Sequence, residues 1–186
     1  MEKKISTPLT EEISKTLRAG DSILLSGIVY TARDAAHGRL INLLDEGKEL
    51  PLNINGEVIY YVGPTPEKPG EVIGSAGPTT SYRMDSYAPR LLDLGLKGMI
   101  GKGARNEEVI SAIKRNNAIY FGAIGGAGAL ISKCIKSSEV IAYDDLGAEA
   151  IRKLEVKGNT GSFSYHGGSD GGRRFGRLFF QRTGRH

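Results

Sequence analysis

The sequence has a single cysteine, Cys134, among its 186 residues. One thiol cannot form an internal disulfide, and it cannot build a multi-cysteine metal site from this chain alone. Long apolar runs are also missing, since none approaches the roughly 18 residues of a membrane-spanning helix. The opening segment, MEKKISTPLTEEIS, has lysines but no apolar stretch behind them, so we expect no secretory signal. These absences predict a cytoplasmic protein that makes no membrane contact.

Basic side chains are in excess, with a formal net charge of +4 and a pI of about 9.1. The excess lies in residues 158–186, which hold five arginines and one aspartate, whereas the first 157 residues hold 20 basic and 20 acidic side chains. A nucleic-acid-binding domain carries its positive charge on the folded part. We therefore expect no nucleic-acid partner for residues 1–157.

Residues 158–186 also differ in glycine content, with eight glycines in 29 residues and no period of 2 or 3.6. Such a composition does not favour a packed core. The sequence therefore predicts a folded domain over residues 1–157 and an irregular Gly/Arg-rich tail over 158–186, either disordered or divergent.

Apolar patterns in the first 157 residues alternate between strand-like and helix-like, which predicts a single α/β domain. The predicted helices are 9–17, capped by Thr10, then 33–47, 84–95, 104–117 and 127–135. Pro89 fits the third of these only in its first turn. The predicted strands are 22–32, 56–66, 71–80, 97–103, 118–126 and 138–147, while 148–156 is ambiguous.

The first polar motif is T-A-R-D-A-A-H, residues 31–37, at a predicted strand-to-helix junction. Catalytic residues of open α/β sheets often lie at such junctions. Arg33 and His37 are four residues apart, so they share one helix face. The alternative is an Arg33–Asp34 ion pair at the helix start, with His37 hydrogen-bonded in the core near Leu40.

The second motif lies in GSAGPTTSYRMDSYAPRLLDLG, residues 74–95. Free N–H groups at a helix start favour an anion, and Thr79 and Arg83 add a hydroxyl and a guanidinium fork suited to a carboxylate. The alternative is helix capping by the hydroxyls, with Arg83 on the surface.

The third motif is Gly101-Lys102-Gly103, at the end of a predicted strand. Glycines beside a lysine let the backbone approach a ligand closely, although turn glycines are the simpler explanation. The segment is not a P-loop, because Gly103 stands where a magnesium-binding Ser or Thr is needed. GAIGGAG, residues 122–128, likewise does not fit a dinucleotide-binding fingerprint.

Together the three motifs supply two arginines, a lysine, a histidine and a threonine, a set suited to a small dicarboxylate with one fork per carboxylate. They contain no obvious nucleophile–base pair and no metal ligands.

In this order, T-A-R-D-A-A-H, A-G-P-T-T-x-x-R-M-D-S-Y and G-K-G resemble the β subunit, or C-terminal domain, of class I fumarases and L(+)-tartrate dehydratases. The resemblance runs from S-T-P-L near the start to about Val156. It implies a swivelling β/β/α domain that closes over a [4Fe–4S] cluster held by cysteines of a partner α subunit, in an α2β2-type hetero-oligomer. The open iron of that cluster would act as a Lewis acid on the substrate hydroxyl.

By the same resemblance, Arg33, Arg83 and Lys102 bind the substrate carboxylates, Thr79 is a base for the C3 proton and His37 belongs to the active site. A threonine hydroxyl is a poor base unless its pKa is lowered, and His37 is the better base by its ordinary pKa. Both therefore stand as catalytic candidates.

The expected function is interconversion of malate and fumarate, with tartrate dehydration as a close alternative, because the carboxylate-binding residues suit both substrates. A non-catalytic anion- or RNA-binding module is a remoter alternative. The tail from Gly158 departs from the family pattern, which indicates either a shifted reading frame or a divergent end.

Overall fold

The computed structural model describes residues 2–19, 21–122, 131–157 and 163–165, the last three by their backbone alone. The described residues form strands β1 (Glu2–Ser6), β2 (Ser22–Thr31), β3 (Val58–Tyr60), β4 (Gly98–Gly101), β5 (Ile119–Gly122), β6 (Ile135–Ala142), β7 (Ile151–Val156) and β8 (Phe163–Tyr165). The helices are α1 (Glu11–Thr16), α2 (Asp34–Asp45), α3 (Ala88–Asp93) and α4 (Glu107–Arg115), with 3-10 helices at Ser81–Met84 and Asp144–Glu149.

Local side chains set where the helices begin and end. The Thr10 hydroxyl accepts a hydrogen bond from the N–H of Ile13 at the start of α1, and Asn106 caps α4 in the same way. Pro89 lies in the first turn of α3, where its missing N–H costs nothing. Gly47, just after α2, has a φ of +68°, a left-handed conformation that ends a helix.

The sheet is built around β2, β3, β4 and β5, which pair in that order and run parallel. Strand β8 pairs antiparallel with both β5 and β2, so these five strands close into a ring. Strand β1 pairs parallel with the first half of β2, and β7 and then β6 continue antiparallel from its second half. Because β2, β3 and β4 run parallel, their carboxyl ends lie at one edge of the sheet.

Alternate side chains of the parallel strands enter two different cores. One core is formed with residues of β2, β7 and the α1 region, and it takes from the parallel strands Val58, Tyr60, Ile100, Ile119 and Phe121. The other is covered by α2, α3 and α4, and it takes Ile59, Met99 and Tyr120. The helices therefore pack on one face of β3, β4 and β5.

The predicted α/β class is confirmed, as are strands 22–32, 97–103 and 138–147 and helices 9–17, 33–47 and 104–117, within a few residues at their ends. The predicted strand 56–66 is observed only as the shorter β3. The predicted strand 118–126 is described only to Gly122, where β5 ends. The ambiguous segment 148–156 contains β7.

Two of the predictions near the second motif are wrong. Residues 71–80 form no strand, because their only ladder contact among the described residues is an isolated bridge from Thr80 to Lys102. The helix predicted from residue 84 begins only at Ala88, after a separate 3-10 helix.

Residues 127–130 of the predicted helix 127–135, and GAIGGAG after Gly122, lie outside the described residues. Of the rest of that predicted helix, Ile131 and Ser132 are helical, whereas Ile135 already belongs to β6. Within the tail that was predicted to be irregular, Phe163–Tyr165 form β8. The domain boundary at residue 157 stays a prediction. No helix in the described part of the chain is long and apolar enough to cross a membrane.

Candidate active site

All three polar motifs lie where parallel strands end. Arg33 follows β2, Lys102 follows β4, and the segment that carries Thr79 is held against the end of β3 by a 2.8 Å hydrogen bond from its N–H to the Tyr61 carbonyl. Crevices at the carboxyl ends of parallel strands are the usual ligand sites of α/β sheets. The fold thus places side chains that are far apart in sequence at one edge.

Backbone contacts join the second and third motifs directly. Thr80 and Lys102 form a parallel bridge, the Lys102 N–H donates to the Thr79 carbonyl at 3.3 Å, and the Ser81 N–H donates to the Lys102 carbonyl at 2.9 Å. Thr79 and Lys102 are both half-buried. Their spacing is therefore set by the main chain rather than by the side chains.

The two glycines around Lys102 have structural reasons for being there. A Cβ on Gly101 would lie 2.0 Å from the Ser81 hydroxyl oxygen and 2.9 Å from the Tyr61 ring. Gly103 has a φ of +86°, which favours glycine. The turn-glycine explanation therefore accounts for Gly103, whereas Gly101 ends β4 and is required by the close packing of Ser81 and Tyr61.

Arg83 links the second motif to the first. It lies in the 3-10 helix Ser81–Met84, and its Nε is 3.1 Å from Oδ2 of Asp34, the first residue of α2. Both side chains are partly exposed, at 43% and 36%. Asp34 thus pairs with Arg83 across the site, where the sequence alternative had paired it with Arg33.

Arg33 occupies the N-cap position of α2 without a side-chain capping hydrogen bond, and its side chain is three-quarters buried. Its Nε lies 3.6 Å from Oε1 of Glu149 and has no hydrogen-bond partner among the described residues. The side chain lies over Gly63, because a Cβ at that position would be 2.6 Å from Nη1. A buried guanidinium N–H without a partner is costly, and an anion would satisfy it.

His37 is fully buried one turn into α2. Its Nδ1 is 2.8 Å from the Arg33 carbonyl oxygen, and since that oxygen can only accept, Nδ1 carries the proton. Nε2 is then a lone-pair acceptor, and it has no hydrogen-bond partner among the described residues. The ring stacks on Tyr87 at 5.8 Å and meets Tyr61 edge-on at 5.5 Å.

The pKa of His37 is lowered to about 4, chiefly by burial. The charge of Arg105 adds to this lowering, while the hydrogen bond to the Arg33 carbonyl and the charge of Asp34 oppose it. The imidazole is therefore neutral at neutral pH. His37 thus occupies the hydrogen-bonded core position that the sequence analysis gave as its alternative. Its Nε2 lone pair has no partner among the described residues.

Sequence reasoning missed a buried ion pair behind these residues. Nε of Arg105 donates to Oδ1 of Asp85 at 2.6 Å, and the two side chains are 2% and 7% exposed. Oδ2 of Asp85 accepts from the Asn106 N–H, and the guanidinium lies 5.2 and 5.0 Å from the Tyr61 and Tyr120 ring centres. Asp85 stands two residues after Arg83, and Arg105 three after Lys102. Their closeness in sequence to Arg83 and Lys102 was the only feature that could have indicated this ion pair.

A second polar contact runs parallel to this pair. The Tyr120 hydroxyl donates to the Gly103 carbonyl at 2.8 Å and lies 2.8 Å from the Ser81 hydroxyl. Burial raises the pKa of Tyr120 to about 12, so the phenol stays protonated and can serve as this donor. The segments that carry Arg83 and Lys102 are thus joined twice in the core.

The described residues contain no cluster of three or more His, Cys, Asp and Glu side chains that could hold a metal ion. The single cysteine, Cys134, is buried. An iron–sulfur cluster held by protein thiolates needs several cysteines, so the residues of this chain do not fit one.

The fold and its site define a mixed α/β domain with three cationic side chains, Arg33, Arg83 and Lys102, grouped at the carboxyl edge of its parallel strands. Residues 2–162 match the family model of the fumarase C-terminus. The chain belongs to that family.

Among its relatives, a class I anaerobic fumarate hydratase of Escherichia coli (strain K12) is 44% identical over 135 residues, which cover 72% of this chain and 25% of that protein. Fumarate hydratase 2 of Leishmania major is 38% identical over 140 residues, 74% of this chain and 25% of that protein. A Methanocaldococcus jannaschii protein named "Putative L(+)-tartrate dehydratase subunit beta" is 35% identical over 153 residues, covering 80% of this chain and 78% of that protein. The chain thus spans about a quarter of the length of the fumarate hydratases that it matches.

Gly63→Ala is expected to displace the Arg33 guanidinium without unfolding the domain. The new methyl group would meet Nη1 and Cδ, at 2.6 and 3.1 Å, and these belong to a flexible side chain that can move away. We expect the Nε–H NMR signal of Arg33 to shift while the thermal midpoint stays close to that of the wild type. Gly38→Ala is the control, because a Cβ there has nothing within 4 Å. An unmoved Arg33 signal would show that Gly63 does not set its position.

The stability of the chain should fall in acid because of His37. Its pKa is about 4 in the folded chain and 6.5 ordinarily, so between these values the unfolded chain binds a proton that the folded chain does not. The free energy of unfolding therefore decreases as the pH falls through this window, by up to about 1.4 kcal/mol per pH unit from this group.

Urea unfolding at several pH values measures that slope in the wild type and in His37→Gln. The variant should lose the His37 part of the slope, whatever its overall stability. Equal slopes in the two proteins would contradict a buried neutral His37.

Proposed function

We propose that this chain is the β subunit of a [4Fe–4S]-dependent hydro-lyase, most simply a fumarate hydratase that interconverts (S)-malate and fumarate. Its membership of the fumarase C-terminus family and its resemblance to class I fumarate hydratases support this assignment. The observation that carries it is that Arg33, Arg83 and Lys102 all lie at the edge of the sheet where the parallel strands end. Two arginines and a lysine suit a dianion with a carboxylate at each end.

In this proposal Arg33, Arg83 and Lys102 bind and orient the two substrate carboxylates. Arg33 has a buried Nε without a hydrogen-bond partner among the described residues, so it has a donor to offer. Nε of Arg83 forms the ion pair with Asp34, and we assign the two terminal nitrogens to a substrate carboxylate. Lys102 is placed by main-chain pairing beside Thr79.

The two catalytic candidates, Thr79 and His37, receive different tasks in this proposal. Burial removes the advantage of His37 as a base by lowering its pKa to about 4, and its hydrogen bond holds the Arg33 carbonyl. We therefore assign His37 to positioning Arg33. Thr79 is half-buried beside Lys102 at the edge where the parallel strands end, so we assign proton transfer at C3 to its hydroxyl.

We propose that the cluster belongs to a cysteine-bearing α subunit rather than to this chain, since Cys134 is its only cysteine. The domain would be the swivelling β/β/α module of an α2β2-type assembly in the cytoplasm. The similarity to a relative named a subunit beta supports this proposal.

The second candidate function is L(+)-tartrate dehydration. The observation that favours it is that the relative matched over most of its own length carries the tartrate dehydratase name. Tartrate and malate present the same two carboxylates, so Arg33, Arg83 and Lys102 serve both substrates. Assaying the complex with each hydroxy acid separates the two.

Arg83→Lys tests the carboxylate-binding role in the complex with the α subunit. The substitution keeps the charge but removes the guanidinium fork, and loss of a charge-assisted hydrogen bond should lower kcat/KM for fumarate hydration roughly 10- to 100-fold. Arg90→Lys is the matched control, because Arg90 forms a comparable exposed ion pair with Asp45 away from the site. Kinetics of Arg83→Lys that equal those of the control would remove Arg83 from the site.

A further inference from the structure

Arg83 is held in place by a residue to which neither the family resemblance nor the relatives' names assign a role. We propose that Asp34 is a positioning residue that orients the Arg83 guanidinium toward the second carboxylate of the substrate. The inference rests on the proposed function, because it concerns how the dicarboxylate site is assembled.

The contact leaves Arg83 oriented for binding. Oδ2 of Asp34 faces Nε of Arg83 at 3.1 Å. A guanidinium has one N–H donor at Nε and four on its two terminal nitrogens. The two terminal nitrogens can bind a carboxylate with two parallel hydrogen bonds. The ion pair therefore draws Nε of Arg83 toward the start of α2, an arrangement in which the two terminal nitrogens can bind a carboxylate.

The support for Asp34 is rigid. It is the first residue of α2, a 12-residue helix whose Ala36, His37 and Leu40 are fully buried. Oδ1 of Asp34 is itself buried, although the residue is partly exposed as a whole, so the carboxylate has limited freedom to turn. A helix packed in this way can hold Arg83 in one direction.

Asp34 also adjoins Arg33 in the chain. Both proposed carboxylate-binding arginines are therefore attached to the start of α2. Arg33 is attached through its own backbone, and Arg83 through its ion pair with Asp34. A substrate with two carboxylates at a fixed separation needs its two forks at a fixed separation, and a shared support provides this.

An exposed ion pair with no functional role is the simplest competing explanation, since such pairs contribute little to stability. The chain offers a matched example on the same helix. Asp45, the last residue of α2, pairs with Arg90 at 2.6 Å, with side chains that are 59% and 47% exposed. The two pairs differ in that only Asp34 contacts a residue of the proposed site.

A third explanation makes Asp34 a competitor, because its negative charge repels a substrate carboxylate and occupies part of Arg83. The direction of the effect separates the two active roles. Removal of a positioning residue weakens substrate binding, whereas removal of a competitor strengthens it.

The test compares Asp34→Ala, Asp34→Asn and Asp45→Ala in the complex with the α subunit, using fumarate hydration. Asp34→Ala should raise KM roughly tenfold, because a displaced guanidinium loses its bidentate geometry, with a smaller change in kcat. Asp34→Asn keeps a side-chain oxygen at the same reach, so it should recover part of the loss. Asp45→Ala should match the wild type, and the double variant Asp34→Ala/Arg83→Lys should be no worse than Arg83→Lys alone.

An unchanged or lowered KM in Asp34→Ala would overturn the proposal, as would additive losses in the double variant. A second measurement does not depend on the substrate. The Nε–H NMR signal of Arg83, assigned by its absence in Arg83→Lys, should shift in the full-length Asp34→Ala chain and stay in place in Asp45→Ala. If this signal does not move, the inference fails even though fumarate hydration persists. If the wild-type complex does not hydrate fumarate, the proposed function fails, and the NMR comparison still decides whether Asp34 orients Arg83.

Discussion

The buried ion pair between Asp85 and Arg105 is the constraint on which the rest of the site depends. It joins the segment that carries Arg83 to the loop that carries Lys102, and both carboxylate oxygens are used, one by the guanidinium and one by the N-cap of α4. Removing one partner of such a pair leaves an uncompensated buried charge, at a cost of about 3–5 kcal/mol. The Arg105 guanidinium lies over the Tyr61 and Tyr120 rings, which are themselves buried. The positions of the segments that carry Arg83 and Lys102 thus follow from contacts made in the core.

Carboxylate side chains lie beside two of the three cations of the proposed site. Arg83 has Asp34 beside it and Arg33 has Glu149, so the three cations are not simply left to repel one another. The nearest contact in each of these two pairs is made at Nε of the arginine. Positive side chains are thus grouped locally, although the first 157 residues have no net charge.

The sequence predicted what local chemistry determines. Thr10 as a cap, the apolar run of β2, the stripe of α2 and Pro89 in a first turn are all recognisable within a few residues, and the three polar motifs lie at one edge because parallel strands end together. It could not predict what depends on long-range pairing. Asp85 and Arg105 are 20 residues apart and meet only in the fold. A strand was predicted within 71–80, but among the described residues the only ladder contact of this segment is the bridge from Thr80 to Lys102. The full burial of His37 depends on Tyr61 and Tyr87, from other elements.

We propose that this chain provides the carboxylate-binding half of an active site and that the reactive cluster belongs to a partner. Fumarate hydration, followed by absorbance, tests this proposal for the chain alone and for the chain purified without oxygen together with a cysteine-bearing α subunit. We expect a colourless, inactive chain that binds fumarate at best at about millimolar concentration, and a brown, active complex. Hydration by the iron-free chain alone would contradict it.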